Sequence, residues 1–138
     1  MKNKLKLVAI IVFAVLLFPI IESCKKYDDG PTISLRSRSE RISNTWVVEN
    51  YKINGTDFTS LVSNYTETFS KNKDYSYSWA VLNGSGTWTL QNSDEEIKLN
   101  GSDAQSSRTL FILKLEETAF WYYYMNGTDK HELHFVSN

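Results

Sequence analysis

The stretch DYSYSWAV at residues 74–81, followed after a short polar break by GTWTLQ at residues 86–91, decides the fold. Tyr75, Tyr77, Trp79 and Val81 alternate with Ser76, Ser78 and Ala80, and Trp88 and Leu90 alternate with Thr87, Thr89 and Gln91. A period of two sends the rings to one face and the small polar groups to the other, the pattern of half-buried β-strands. Working outward, eight strands are predicted, over 45–53, 65–70, 74–81, 86–91, 96–100, 108–115, 119–125 and 130–136. Asn54-Gly55, Asn83-Gly84, Asn100-Gly101 and Asn126-Gly127 are expected to form tight turns between them, since this dipeptide supplies positive φ. All four also read as N-x-Ser/Thr, as does Asn64-Tyr65-Thr66, but the turn reading is preferred to glycosylation. The longest link, 56–64, is expected to hold a helical turn or lid.

Short links favour an antiparallel meander, in which sequence neighbours pair in space. Eight strands in about 92 residues then close into a small up-and-down barrel without exposed edges, with a two-sheet β-sandwich as the alternative. Strands this short argue against a barrel that crosses a membrane.

The chain has 138 residues, 41% of them hydrophobic, which allows one domain. The aliphatic content is concentrated in LVAIIVFAVLLFPII, residues 7–21, behind Lys2, Lys4 and Lys6. A run of about 15 fits the apolar region of a signal peptide and falls short of the ~20 that span a bilayer. It leads into Ile20-Ile21-Glu22-Ser23-Cys24, with a small residue directly before the sole cysteine of the sequence. A lone cysteine in an exported chain has no disulfide partner. The segment resembles the lipobox of bacterial lipoproteins, which implies cleavage before Cys24 and attachment of diacylglycerol and palmitate there. The expected organisation is a signal peptide at 1–23, a lipidated Cys24 and polar tether over 24–44 with a short helical turn near its end, and a barrel over 45–138.

Cleavage would remove three of the 15 basic and one of the 16 acidic side chains, leaving a net charge near −3. That argues against nucleic acid as a partner, because phosphate contacts need a basic surface. Lys25-Lys26-Tyr27-Asp28-Asp29-Gly30-Pro31 is similar to the signals that export lipoproteins to the outer face of the outer membrane. The expected location is the outer membrane, by a lipid anchor and with surface display; a plain solvated tether is the other reading.

Alternation assigns inward faces: Tyr65, Glu67 and Phe69; Ile97 and Leu99; Phe111, Leu113 and Leu115; Phe120, Tyr122 and Tyr124; His131, Leu133 and Phe135. A buried tyrosine needs a partner for its hydroxyl, and a buried carboxylate must be paired or protonated. Tyr65, Glu67, Tyr77, Trp79, Tyr122, Tyr124 and His131 are therefore the candidate ligand-binding set, an aromatic lining with a few polar tips. Alternatively these side chains fill the interior, since an eight-stranded barrel is only just wide enough for its own side chains. Outward-facing Trp121, Tyr123 and Met125 are a candidate contact face for a glycan or an envelope protein.

The chemistry-bearing inventory is thin. His131 and His134 stand three apart on a strand, point to opposite faces and cannot share a metal. No Gly-x-Ser-x-Gly elbow, phosphate loop or dinucleotide fingerprint is present. Glu67 with His131 is the one possible acid–base pair. Neither catalysis, metal nor cofactor is expected.

Three segments carry a family likeness: RISNTW at 41–46, GSGTWTL at 84–90 and ILKLEETAFW at 112–121. They resemble the first strand, the Gly-x-Trp-x-Leu strand and the late hairpin of lipocalin-like bacterial lipoproteins. The resemblance implies a small barrel that holds an apolar or aromatic molecule in its mouth.

Overall fold

A computed structural model describes residues 35–138, so the expected signal peptide, Cys24 and the first part of the expected tether lie outside the described residues. The description begins with a one-turn helix, α1 (Arg38–Ile42). Ser37 and Glu40 start it with a reciprocal capping box, which satisfies two amide donors that a helix N-terminus otherwise leaves open. Strands β1 (Thr45–Ile53), β2 (Thr56–Asp57), β3 (Thr66–Phe69), β4 (Asp74–Trp79), β5 (Leu82–Gln91), β6 (Glu96–Gly101), β7 (Thr109–Leu115), β8 (Ala119–Asn126) and β9 (Asp129–Ser137) follow.

From β3 to β9 each strand pairs antiparallel with the next, and β1 pairs with both β3 and β9. The sheet therefore closes as an eight-stranded up-and-down barrel and not as a sandwich. Short β2 is an addition, paired only at Lys52↔Asp57 and Ile53↔Thr56 on β1. A 3₁₀ turn, Thr59–Val62, follows it and fills the long link.

Two of the four Asn-Gly pairs turn the chain. Asn54 and Gly55 adopt φ of 50° and 84°, and Gly127 adopts 60°. The other two are corrected: Asn83-Gly84 lies inside β5 and Asn100-Gly101 at the end of β6. Glycine serves there for close approach. A Cβ on Gly84 would fall 2.5 Å from the Tyr77 ring, and one on Gly86 would fall 2.4 Å from the Asn100 carbonyl oxygen. The β4–β5 turn is made instead at Ala80, held at φ 51°. Left-handed backbone is costly for a residue with a Cβ. Ala80→Gly is accordingly expected to stabilise the barrel by about 0.5–1 kcal/mol, seen as a higher urea midpoint at unchanged slope.

One end of the barrel is solid. Trp46, Phe69, Trp88, Leu115, Phe120 and Phe135 are all 0–1% exposed. Phe120 sits at their centre, with ring centroids 5.5 Å from Trp46, 5.8 Å from Phe69 and 6.5 Å from Phe135. Helix α1 adjoins this end, where buried Ile42 accepts the Trp46 indole N–H at 2.9 Å.

Face assignments hold on β3, β6 and β8 and fail in two places. Val81 is 91% exposed, because β4 ends at Trp79 and Val81 is the tip of the turn. On β7 the buried residues are Leu110, Ile112 and Leu115, whereas Phe111 and Leu113 face outward. A bulge between Ile112 and Lys114 inserts one residue and flips the alternation across it.

Candidate functional site

Above the solid end, the middle of the barrel holds one acid among phenols. Glu67 lies on β3 between Thr66 and Thr68, whose side chains alternate outward, so its own points into the interior and is 1% exposed. Its Oε1 accepts hydroxyl hydrogen bonds from Tyr65 at 2.5 Å, Tyr75 at 2.8 Å and Tyr122 at 2.9 Å. The β3–β4 register, Glu67↔Tyr77, places Tyr75 one rung towards the closed end, and Tyr122 reaches across from β8. Burial pushes the Glu67 carboxyl above its ordinary value, while the three hydroxyls and the positive charge of Arg108 oppose the rise. Burial likewise raises Tyr65, Tyr75 and Tyr122, with the Glu67 charge adding to it, so the phenols stay protonated and donate.

Nearer the open end lies a cavity of about 250 Å³. Trp79, Tyr51, Tyr124 and Leu133 form its sides, Tyr65 and Gln105 its polar part, and Leu61 and Val62 of the 3₁₀ turn lean over it. The Tyr51 hydroxyl bonds His131 Nδ1 at 2.6 Å, and the His131 ring stacks on Tyr124 at 4.8 Å. Burial lowers His131 below its ordinary value, favouring the neutral ring, and pushes the Tyr51 hydroxyl up to about 12. His131 thus stands behind two wall residues and positions them.

The sequence-predicted residues therefore divide. Tyr65, Trp79 and Tyr124 line the cavity, and Glu67 and Tyr122 form the polar layer beneath it. His131 backs the wall. Tyr77 stands apart over Gly84 with its hydroxyl turned to Asp103. Glu67 and His131 do not meet as an acid–base pair: Glu67 bonds tyrosines and His131 bonds Tyr51.

Sequence reasoning missed Tyr51, Gln105 and Arg108. The Arg108 guanidinium lies 4.0 Å over the Tyr124 ring, and its Nε donates to the Gln105 carbonyl at 2.7 Å. The β7 alternation, counted back from Leu115, sends Arg108 outward, and only the bulge brings it in. The apolar run TLFILKL carries no period-2 signal by which the bulge is visible.

The outward aromatics pack against one another in rungs across the strands. Trp121 stacks on His134 at 4.0 Å with Lys114 over the same ring at 4.5 Å, and Tyr123 stacks on Phe111 at 4.8 Å with Lys130 at 4.7 Å. Met125 remains 48% exposed.

Among the described residues no helix is long and apolar enough to cross a membrane, and no group of three or more acidic, His or Cys side chains is placed to hold a metal. No family model matches the chain, and no curated protein matches it. Among solved structures the barrel is similar to a DUF4847 family protein from Bacteroides vulgatus, at 15% identity and a TM-score of 0.50, covering 70% of this chain and 94% of that one. At that identity the likeness is one of fold, a closed antiparallel barrel of the same kind.

Proposed function

We propose that the protein is a lipid-anchored envelope protein that binds a small apolar or aromatic molecule in the barrel mouth, without catalysing a reaction on it. The cavity carries this reading. Its volume of about 250 Å³ is close to the lower end of ordinary ligand sites, ~300 Å³, and its lining is mainly aromatic and aliphatic with a few polar tips. Anchoring through Cys24 and placement at the outer membrane rest on the lipobox-like segment and the charged residues behind it. The competing role, an outward aromatic platform for a glycan, is weakened because the Trp121 and Tyr123 rings are engaged by stacked neighbours and lysines.

Titration with a panel of single-ring and fused-ring lipophiles should change tryptophan fluorescence saturably, with micromolar affinity. Most of that change should vanish in Trp79→Phe while calorimetric binding persists. A protein that answers only to a parallel panel of polysaccharides would overturn the mouth as the site. In cells, palmitate labelling should be present in the native chain and absent in Cys24→Ser; labelling that survives the substitution would remove the anchor from the proposal.

A further inference from the structure

Glu67 Oε2 and Arg108 Nη2 are among the buried polar atoms that no described residue hydrogen-bonds. Both belong to side chains otherwise well held. Oε1 of the same carboxylate takes three hydroxyls, and the neighbouring Nε of Arg108 is bonded to Gln105. Native interiors rarely leave such atoms unmet, and where they do a ligand or water normally supplies the partner. The guanidinium and the carboxylate feel each other's charge without a direct hydrogen bond between them.

Neither side chain lines the cavity, but each is one hydrogen bond from a residue that does. Tyr65 and Gln105 line it, and each also touches the polar layer: the Tyr65 hydroxyl donates to Glu67, and the Gln105 carbonyl takes Arg108 Nε. The Gln105 side-chain amide donates to the Tyr65 hydroxyl. Gln105 itself belongs to the β6–β7 link, 102–108, so its side chain is a plug set from a loop and not from a barrel strand.

We propose that the mouth selects neutral ring-bearing alcohols and phenols, whose hydroxyl displaces the Gln105 amide from Tyr65 and bridges Glu67 Oε2 and Arg108 Nη2 while the ring fills the space beside Trp79 and Tyr124. The inference rests on the mouth being the ligand site and adds the chemical class. A hydroxyl offers a donor and an acceptor at a single atom, matching the two unmet groups. A hydrocarbon leaves both unmet. A carboxylate or an ammonium would meet one group of each sign there, so the pair gives little net attraction to offset the cost of desolvating a charged ligand.

The test is calorimetric titration of the full chain at pH 7 with ethylbenzene, para-ethylphenol and para-ethylbenzoate, which share a ring and tail. The phenol should bind at least tenfold tighter than the hydrocarbon, and the carboxylate more weakly than either. Arg108→Met should bring the phenol and hydrocarbon to within threefold of each other. Gln105→Ala, a loop change that leaves the barrel strands alone, should keep or raise phenol affinity because it removes the plug. Equal binding of phenol and hydrocarbon, preference for the carboxylate, or a tenfold loss in Gln105→Ala would overturn the inference and leave the mouth as a ligand site. Absence of saturable binding by all three and by the wider lipophile panel would instead remove the mouth site itself.

Discussion

Glu67→Leu is expected to destabilise the barrel by about 3–5 kcal/mol, a large part of the 5–15 kcal/mol that holds a typical domain folded. The leucine is of similar size, so little of the loss is a packing defect. The loss arises because Tyr65, Tyr75 and Tyr122 all aim their hydroxyls at Oε1 of one carboxylate, and removing it strands three buried donors together. Each unmet hydroxyl costs about 1–3 kcal/mol. Glu67→Gln keeps an acceptor oxygen and should lose only about 1–2 kcal/mol. Urea unfolding of the three proteins measures this, and a leucine variant no less stable than the glutamine variant would refute the account.

The same pair gives a pH signature. Burial raises the folded-state pKa of Glu67 above its ordinary value of about 4.5, so the folded protein holds this proton where the unfolded chain has released it. Its contribution to stability is greatest below that value and declines as pH rises towards the folded pKa. Asp57, Asp103 and Glu132 shift the other way and lose stability on acidification, but they are common to both proteins. The stability of the native chain minus that of Glu67→Gln should therefore fall as pH rises above about 4.5; a difference that grows would mean that the carboxylate is stabilised by its partners more than burial penalises it.

Phe120→Ala is expected to cost about 3–5 kcal/mol. Phe120 is fully buried where β8 crosses the closed end, and four rings, Trp46, Phe69, Tyr122 and Phe135, surround it. Truncation removes its apolar surface from the core and leaves a void that close-packed rings on fixed strands cannot collapse to fill. Phe120→Leu should cost much less, about 1–1.5 kcal/mol. Near-ultraviolet circular dichroism should weaken in the alanine variant through the loosened Trp46 environment, and a loss under 2 kcal/mol would show that the cluster repacks.

The strands were legible because aromatic and β-branched residues alternate with serine and threonine over most of the barrel, and β1 matches its expected bounds of 45–53. What alternation cannot report is an inserted residue. The β7 bulge turned Phe111 and Leu113 outward and Arg108 inward, and with Arg108 went the cation beside the polar layer. Glycine misled for a related reason: Gly84 and Gly101 follow asparagine as turn glycines do, yet their need is space for Tyr77 and Ser106. The cluster of Tyr65, Glu67 and Tyr122 was readable as inward polar residues, but that three hydroxyls share one oxygen is a matter of register between strands far apart in sequence.

Barrel closure also sets a clock. Trp46 on β1 pairs with Ser137 on β9, so the first long strand finds one of its two principal partners only when the last has formed. An all-β fold that must close by such a distant pairing is expected to form more slowly than a helical bundle of equal size. Until then one edge of β1 stays open and offers a template to any other strand nearby. The interval between synthesis and closure, more than the finished barrel, is where this chain is expected to be vulnerable to aggregation and most dependent on being held unfolded.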